Sequence, residues 1–197
     1  MRRALISSAA AALAAALAAV LAGCGNDPTP LPDVGVIPAP TGFRPARYDA
    51  QGVRFRAPTN WRVSPGEGTQ LATVAIGDAQ VGVWRYPRTE PLPETRTQLD
   101  AARAAVVAQI KGRDPTFKVK STRLVLKPGI RAVQVVGVGT NLTNASVRRS
   151  VRSLHVYGSG AEVVMDAFAP PKAFSRVDKQ TFGPMTRSLK LRKPKGA

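Results

Sequence analysis

The sequence is short of the two side chains that most often build covalent crosslinks and transition-metal sites. It holds one cysteine, Cys24, and one histidine, His155, among 197 residues. A lone thiol cannot close a disulfide within the chain or supply a cysteine-based zinc site. A lone imidazole excludes the usual histidine-rich metal clusters. We therefore expect a fold stabilised by packing alone, without a metal or another cofactor.

Acidic side chains are also scarce. Lysine and arginine number 29 against 12 aspartate and glutamate residues, which gives a formal net charge of +17. A net charge of this size favours association with anionic partners such as lipid headgroups, acidic polymers or nucleic acid. It is equally compatible with a well-hydrated surface that has no specific partner. Charge alone therefore narrows the class of partner and does not indicate the fold.

The only cysteine closes an apolar N-terminal segment. Arg2 and Arg3 precede a mostly alanine stretch over residues 4–20, and the run LAGC then ends at Cys24. This pattern resembles the lipobox of bacterial lipoproteins, in which the cysteine becomes the lipidated N-terminus. An ordinary secretory signal and an uncleaved anchor are the alternatives, although the stretch is short for a spanning helix. We predict a signal peptide at residues 1–23 and an extracytoplasmic protein, lipid-anchored to the cell membrane through Cys24.

Export changes what the charge implies. Without Arg2 and Arg3, 27 basic residues stand against 12 acidic ones, a net charge of +15. A chain tethered outside the cell rarely meets nucleic acid, so no nucleic-acid partner is predicted. Anionic headgroups and acidic envelope polymers remain as possible partners of the basic surface.

Residues 24–50 are predicted to form a tether between the lipid and a folded domain. Six prolines fall in this segment without an amphipathic period: Pro28, Pro30, Pro32, Pro38, Pro40 and Pro45. Proline at this density favours an extended, semi-rigid backbone. The domain is expected to span residues 51–191, and residues 192–197 are expected to form a basic tail.

The predicted domain is rich in strands joined by tight turns. Apolar runs flank three turn sequences, which are Gly77-Asp78, Lys127-Pro128-Gly129 and Gly158-Ser159-Gly160. Each arrangement is typical of a β-hairpin. The order of these runs predicts a sheet of antiparallel strands rather than alternating parallel units.

One clear helix interrupts the strands, and a second helical region closes the chain. Thr95 and Gln98 match a capping box that opens a helix to about Lys111. An apolar stripe on that helix is typical of core packing and consists of Leu99, Ala102, Val106 and Ile110. The closing region is interrupted at Gly183-Pro184, where proline removes a backbone hydrogen bond and predicts a kink or a late start. Together these elements predict an α+β fold in which an antiparallel sheet is flanked by helices.

The domain resembles a known fold family. The opening strand with Pro58-x-x-Trp61, the hairpin, the middle helix, the meander and a closing helix that ends at Ser188-Leu189 resemble the PsbP-like fold. With the lipobox and the proline segment, the chain is similar to the LpqN-type lipoproteins of actinobacteria. The resemblance covers residues 51–191 and implies an α/β/α sandwich. It also implies an accessory or binding protein rather than an enzyme, and it supplies no catalytic motif.

His155 is the one side chain that invites a catalytic interpretation. Asp166, on the following strand, approaches it if the Gly158–Gly160 hairpin has a suitable register. A nucleophile would still be required beside the histidine. Glu162 and Asp166 share a face about 13 Å apart on an extended strand, which is too far for a retaining glycosidase pair. We expect both carboxylates to pair instead with arginines across the sheet.

Those arginines are Arg148, Arg149 and Arg152. Arginine binds phosphate or carboxylate through a bidentate fork, so the three form a candidate surface for an anionic ligand or an acidic partner. A solvated basic face is the alternative. Of the two tryptophans, Trp61 is expected to fill the core, because it follows the first strand of the domain. Trp84 remains a candidate for stacking on a ligand.

These observations lead to one main functional hypothesis and two alternatives. The main one is a monomeric, non-enzymatic envelope lipoprotein that binds or assists an envelope protein complex or an amphiphilic ligand. The first alternative is a hydrolase of envelope lipid or glycan, which requires His155, Asp166 and a serine to converge in one pocket. The second is a module whose basic surface binds polyanions.

Overall fold

The computed structural model describes residues 36–127, 129–140, 142 and 147–194. The predicted signal peptide, Cys24 and the first part of the tether lie outside these residues. The described residues belong to one compact unit, Val34–Ala197. Among them, no helix has the length and apolar character needed to cross a membrane.

The unit contains ten strands and three α-helices among its described residues. The strands are β1 (Phe43–Tyr48), β2 (Val53–Pro58), β3 (Arg62–Pro65), β4 (Gln70–Ile76), β5 (Ala79–Pro87), β6 (Lys118–Lys127), β7 (Ile130–Gly139), β8 (Arg149–Gly158), β9 (Ala161–Ala169) and β10 (Lys190–Leu191). The helices are α1 (Arg96–Arg113), α2 (Pro171–Val177) and α3 (Gly183–Ser188). A single-turn 3₁₀ helix (Asp49–Gln51) separates β1 from β2, and a π-helical turn (Asp178–Phe182) joins α2 to α3.

The strands form two antiparallel sheets. The large sheet has seven strands in the order β3-β4-β5-β9-β8-β7-β6, and the small sheet has the order β1-β2-β10. Helix α1 packs on one face of the large sheet, against β6 and β7. Helices α2 and α3 pack on the other face together with the small sheet. The α+β class and the flanking of an antiparallel sheet by helices are therefore confirmed.

Helix α1 forms where its capping signals predict. The Thr95 side chain accepts a hydrogen bond from the Gln98 backbone, and the Gln98 side chain accepts one from the Thr95 backbone. Leu99, Val106 and Ile110 are buried against the sheet. Burial of each such side chain contributes about 1.5–3 kcal/mol. The helix ends at Arg113 rather than at Lys111, because the backbone of Asp114 supplies the cap that closes the last turn.

The opposite face carries the larger core. Trp61 is 1% exposed, and the edge of its ring meets the ring of Phe182 with centroids 6.2 Å apart. Phe55 from β2 and Met185 from α3 lie in the same cluster. Trp61 therefore belongs to the core, as its position after the first predicted strand indicates.

The folded domain begins earlier than the predicted boundary at residue 51. Strand β1 pairs with β2 over its whole length, from Phe43 opposite Pro58 to Tyr48 opposite Val53. Ile37 is 1% exposed and lies in the main core. The sequence-based boundary missed this strand because Pro45 lies within it. Proline is tolerated on an edge strand, and β1 is at the edge of the small sheet.

The closing helical region passes through Gly183-Pro184 by means of the π-helical turn. The Gly183 backbone N–H donates to Asp178, five residues earlier, so the wider turn precedes the proline. Pro184 is the second residue of α3, and the wider π-helical turn before it lets the helical backbone continue past a residue that lacks an N–H. Beyond α3, β10 pairs with β2, and the Arg192 backbone donates to Gly52. Residues 190 and 191 are thus part of the small sheet, and Arg192, the first residue of the predicted basic tail, is hydrogen-bonded to the residue that precedes β2.

Candidate functional site

Each face of the large sheet is covered over only part of its width. Helix α1 lies over β6 and β7, which leaves β5 and β9 open on the same face. A groove of about 700 Å³ runs between α1 and these strands. We call it the polar groove and define it by Gln80, Trp84, Tyr86, Gln109, Arg113, His155, Glu162 and Asp166.

Strand register places the polar side chains of β8 and β9 on this face. Ser153 lies opposite Asp166, and His155 lies opposite Val164. Because side chains alternate between the two faces of a strand, residues 153 and 155 share one face with residues 162, 164 and 166. His155 and Asp166 therefore lie on the same face of the sheet, but they are not directly opposite each other, because Asp166 pairs with Ser153, two residues before His155.

A continuous hydrogen-bonded chain links these side chains. Arg88 forms an ion pair with Glu162, whose Oε1 lies 2.6 Å from His155 Nδ1. His155 Nε2 lies 3.0 Å from Ser153 Oγ. The Ser153 hydroxyl donates to Asp166 Oδ1 over 2.5 Å. We call Glu162, His155, Ser153 and Asp166 the buried chain, and the exposed Arg88 side chain pairs with one end of it.

The two carboxyl groups of the buried chain differ in pKa. Burial alone would raise the pKa of Glu162, but the hydrogen bonds and charges of His155 and Arg88 outweigh burial and lower it. Burial raises the pKa of Asp166, and the opposing hydrogen bond from Ser153 does not offset it. The surroundings of Glu162 therefore favour its anionic form, whereas burial favours the protonated form of Asp166.

Ser153, His155 and Glu162 have the connectivity of a catalytic triad, but Asp166 alters its chemistry. A nucleophilic serine directs its proton at the histidine and leaves space beside the oxygen for a developing oxyanion. Here the single hydroxyl proton of Ser153 points at Asp166. Moreover, Ser153 is only 2% exposed. The geometry therefore favours a rigid, satisfied polar network over an activated nucleophile.

Neither carboxylate pairs with the arginines that the sequence suggested. Glu162 binds Arg88 and His155, and Asp166 binds Ser153. The expected pairing with Arg148, Arg149 or Arg152 was wrong, because the sequence does not reveal which residues of neighbouring strands lie opposite each other. Ser153 and Arg88 were missed altogether, although the spacing of Ser153, two residues before His155 in a strand, already placed both on one face.

The candidate arginine surface is divided by the sheet. Arg149 binds Asp78, whereas Arg152 binds both Asp178 and Gln134. Residues 149 and 152 point to opposite faces of β8. Arg148 precedes the strand and is exposed. The structure therefore does not bring the three guanidinium groups together.

Trp84 provides an aromatic surface in the polar groove. A Cβ atom on Gly82 would lie 2.0 Å from the Trp84 ring, so the ring rests directly on the glycine backbone. Gly82 is the cross-strand neighbour of Asp166. The indole thus lies beside the buried chain and remains partly exposed.

No group of three or more His, Cys, Asp or Glu side chains in the described part of the chain is arranged to hold a metal ion.

Comparison with solved structures defines the fold. The domain is similar to the solution structure of cyanobacterial PsbP (CyanoP) from Synechocystis sp. PCC 6803, with a TM-score of 0.60 and 14% sequence identity. The match covers 80% of this chain and 96% of that one. The fold is PsbP-like.

A second solved structure has the same architecture. The PsbP-like domain is similar to the Ran-binding protein Mog1p of Saccharomyces cerevisiae, with a TM-score of 0.50, 8% identity and coverage of 77% of this chain and 96% of that one. No protein-family model and no curated protein matches the sequence. At these identities, the similarity establishes the fold alone.

Proposed function

We propose that this chain is an extracytoplasmic lipoprotein, anchored through Cys24, whose PsbP-like domain binds another envelope component without catalysing a reaction. The observation that carries the proposal is the polar groove, an open concavity with a preorganised polar floor. Its volume of about 700 Å³ lies within the usual range of ligand sites, about 300–1,000 Å³. Anchoring to a membrane would keep the groove among envelope lipids and proteins.

The floor of the groove is suited to binding because its polar groups are already fixed. Asp166 lines the groove and uses one oxygen to accept from Ser153. Its second oxygen has no hydrogen-bond partner among the described residues. Trp84 adds an apolar surface beside it. A ligand that stacks on the indole and donates to Asp166 would pay little entropy to order the site.

The occupant follows in part from the charges. Glu162 is neutralised by its ion pair with Arg88, whereas Asp166 and Arg113 both line the groove with opposite charges. The polar groove therefore has nearly balanced charge and suits a hydrogen-bonding group more than a strong polyanion. That group would belong to a partner protein or to the headgroup of an amphiphile.

Crosslinking in cells tests this proposal. A photoreactive amino acid replaces Tyr86, which is 37% exposed at the groove, in the full chain. A matched probe replaces Arg44, which is exposed on β1 at the other side of the domain. We expect a discrete adduct from position 86 alone, and its loss when Trp84→Ala is added. Equal adducts from both positions, or none from position 86, would contradict binding in the groove.

Fractionation tests the anchor separately. Cys24→Ala should move the protein from the membrane fraction to the soluble fraction. If the variant remains in the membrane fraction, the lipoprotein assignment is wrong. The domain proposal would then stand or fall on the crosslinking result alone.

Hydrolysis is the second candidate function, because Ser153, His155 and Glu162 have triad connectivity. In a hydrolase, Ser153 Oγ would attack an ester carbonyl, His155 would accept its proton, and Glu162 would orient the imidazole. A fluorophosphonate probe would then label the protein, and Ser153→Ala would abolish the label. We expect no labelling, because Asp166 occupies the hydrogen-bonding position beside the serine oxygen.

A further inference from the structure

A second groove lies on the opposite face of the large sheet. There α2, α3 and the small sheet cover β4, β5, β9 and β8, so the face of β6 and β7 is open. Strands β6, β7 and β8 form the floor of this groove, and α3 with β10 forms its wall. Its volume is about 850 Å³. We call it the basic groove and define it by Arg123, Val125, Leu154, Val156, Arg187, Leu189, Leu191 and Arg192.

The inner surface of the basic groove is apolar. Val125 and Val156 project from the floor, and Leu189 and Leu191 project from the segment that follows α3. These four side chains are only partly buried, although all pack at the margin of the main core. The domain thus leaves a strip of aliphatic surface open, where burial by a ligand would be favourable.

The charges around this strip have one sign. No aspartate or glutamate is among its lining residues, whereas Arg123, Arg187, Lys190 and Arg192 all line it. Within the described part of the chain, none of these four cations forms an ion pair. Arg149 and Arg152 differ, because each is held by a carboxylate. The cations of the basic groove are therefore available to an external anion.

We propose that the basic groove binds one anionic lipid molecule, with an acyl chain on the aliphatic strip and a phosphate headgroup between Arg187 and Arg192. The aliphatic strip and the surrounding cations together require a ligand that has both an apolar chain and a negative charge. A soluble polyanion would gain nothing from the aliphatic strip, and a neutral lipid would leave the arginines without a partner. This site is independent of the polar groove, so it can be tested without the proposed function.

Titration of defined lipids tests the proposal. The full chain with Cys24→Ala is mixed with lysophosphatidylglycerol below its micelle concentration, and binding is followed by calorimetry and native mass spectrometry. Lysophosphatidylcholine with the same acyl chain tests the need for net charge, and glycerol 3-phosphate tests the headgroup without a chain. We expect one lysophosphatidylglycerol per protein and at least about tenfold weaker binding of the other two.

Variants locate the site. Arg187→Gln with Arg192→Gln should weaken lysophosphatidylglycerol at least about tenfold, because charge-assisted hydrogen bonds are lost. Leu189→Ala should also weaken it by reducing the aliphatic contact. Arg44→Gln with Arg47→Gln removes the same charge from exposed positions on β1 and should leave the affinity unchanged. Circular dichroism confirms that each variant is folded.

Several results would overturn the proposal. Equal binding of lysophosphatidylcholine would show an apolar site without charge selection. Equal binding of glycerol 3-phosphate would show an anion site without a chain pocket. A loss of affinity in the β1 control as large as in the groove variant would show attraction by net charge alone. Displacement of the lipid by polyglutamate at lower concentration would assign the groove to an acidic protein partner.

Discussion

The polar groove and the basic groove lie on opposite faces of one sheet and differ in how their charges are compensated. In the polar groove, Glu162 is held by Arg88 and His155, and Asp166 accepts from Ser153. In the basic groove, Arg123, Arg187 and Arg192 have no carboxylate among the lining residues. A buried charge is tolerated only with a partner, whereas an exposed cation keeps its hydration. The charged groups of the polar groove are therefore paired within the fold, whereas the cations of the basic groove are available to a ligand.

The largest effect on stability is expected from removing a side chain of the buried chain. His155→Ala leaves the Glu162 carboxylate without its Nδ1 donor in a site where Glu162 is 5% exposed. We expect the free energy of unfolding to fall by about 2–4 kcal/mol, because the buried Glu162 Oε1 loses its donor while Arg88 still pairs only with Oε2. Urea denaturation measures the change. A loss below about 0.5 kcal/mol would show that water replaces the histidine without cost.

Gly82 tests the aromatic part of the polar groove. In Gly82→Ala, the new Cβ would lie 2.0 Å from the Trp84 ring, so the indole must leave its position. We expect a loss of about 1–3 kcal/mol, which is typical of overpacking, together with a change in tryptophan emission. Gly77→Ala is not an equivalent control, because Gly77 has a positive φ of 49°. Gly112→Ala, with open space around its Cβ position in α1, is the matched control and should not destabilise the protein.

The pH dependence of stability should separate the two carboxyl groups. The pKa of Glu162 is lowered in the folded state, so its contribution is present above its ordinary value of 4.5 and is lost as the pH falls through the folded pKa. The pKa of Asp166 is raised above 3.8, so the folded state gains stability as the pH falls through that raised pKa.

Two variants check these signs through the melting temperature as a function of pH. Asp166→Asn should abolish the gain in stability that accompanies a fall in pH through the raised pKa of Asp166. Glu162→Gln should reduce the loss at more acidic pH, relative to its own stability at neutral pH. If Asp166→Asn leaves the shape of the profile unchanged, the side chain does not take up a proton more readily in the folded state.

The smallest expected effect comes from the basic groove. Arg187→Gln with Arg192→Gln should change the free energy of unfolding by less than about 0.5 kcal/mol, because both side chains are exposed and neither forms an ion pair in the described residues. Urea denaturation at low and at high salt checks this. A loss of free energy of unfolding as large as that in His155→Ala would show that the cations of the basic groove, like the buried chain, are needed for stability.

The sequence predicts the local elements of this fold well and the long-range ones poorly. The Thr95 capping box and the hairpin turns at Gly77 and Gly158 depend on neighbouring residues, and they form as expected. The strand at Phe43–Tyr48 was hidden by its proline, because only pairing with β2 makes it a strand.

The candidate site shows the same limit more sharply. His155 and Asp166 were recognisable as titratable groups. Whether they share a face depends on the register of β8 and β9, and an error of one residue in that register would move Asp166 to the other face. Ser153 joins them only because it lies opposite Asp166. Arg88, which pairs with Glu162, lies directly after β5 and 74 residues earlier in the chain. Such contacts are set by topology and leave no local pattern.

The small sheet has a mechanical consequence. Its central strand, β2, pairs with β1 on one side and with β10 on the other. Tension transmitted along the chain from the N-terminal side would first reach Ile37, which is buried in the main core and accepts a hydrogen bond from Arg176, and only then β1. Strand β10, which walls the basic groove, would remain fastened to β2 through Arg54 and Val53. A pull from the N-terminal side would therefore load the main core and β1 before the wall of the basic groove.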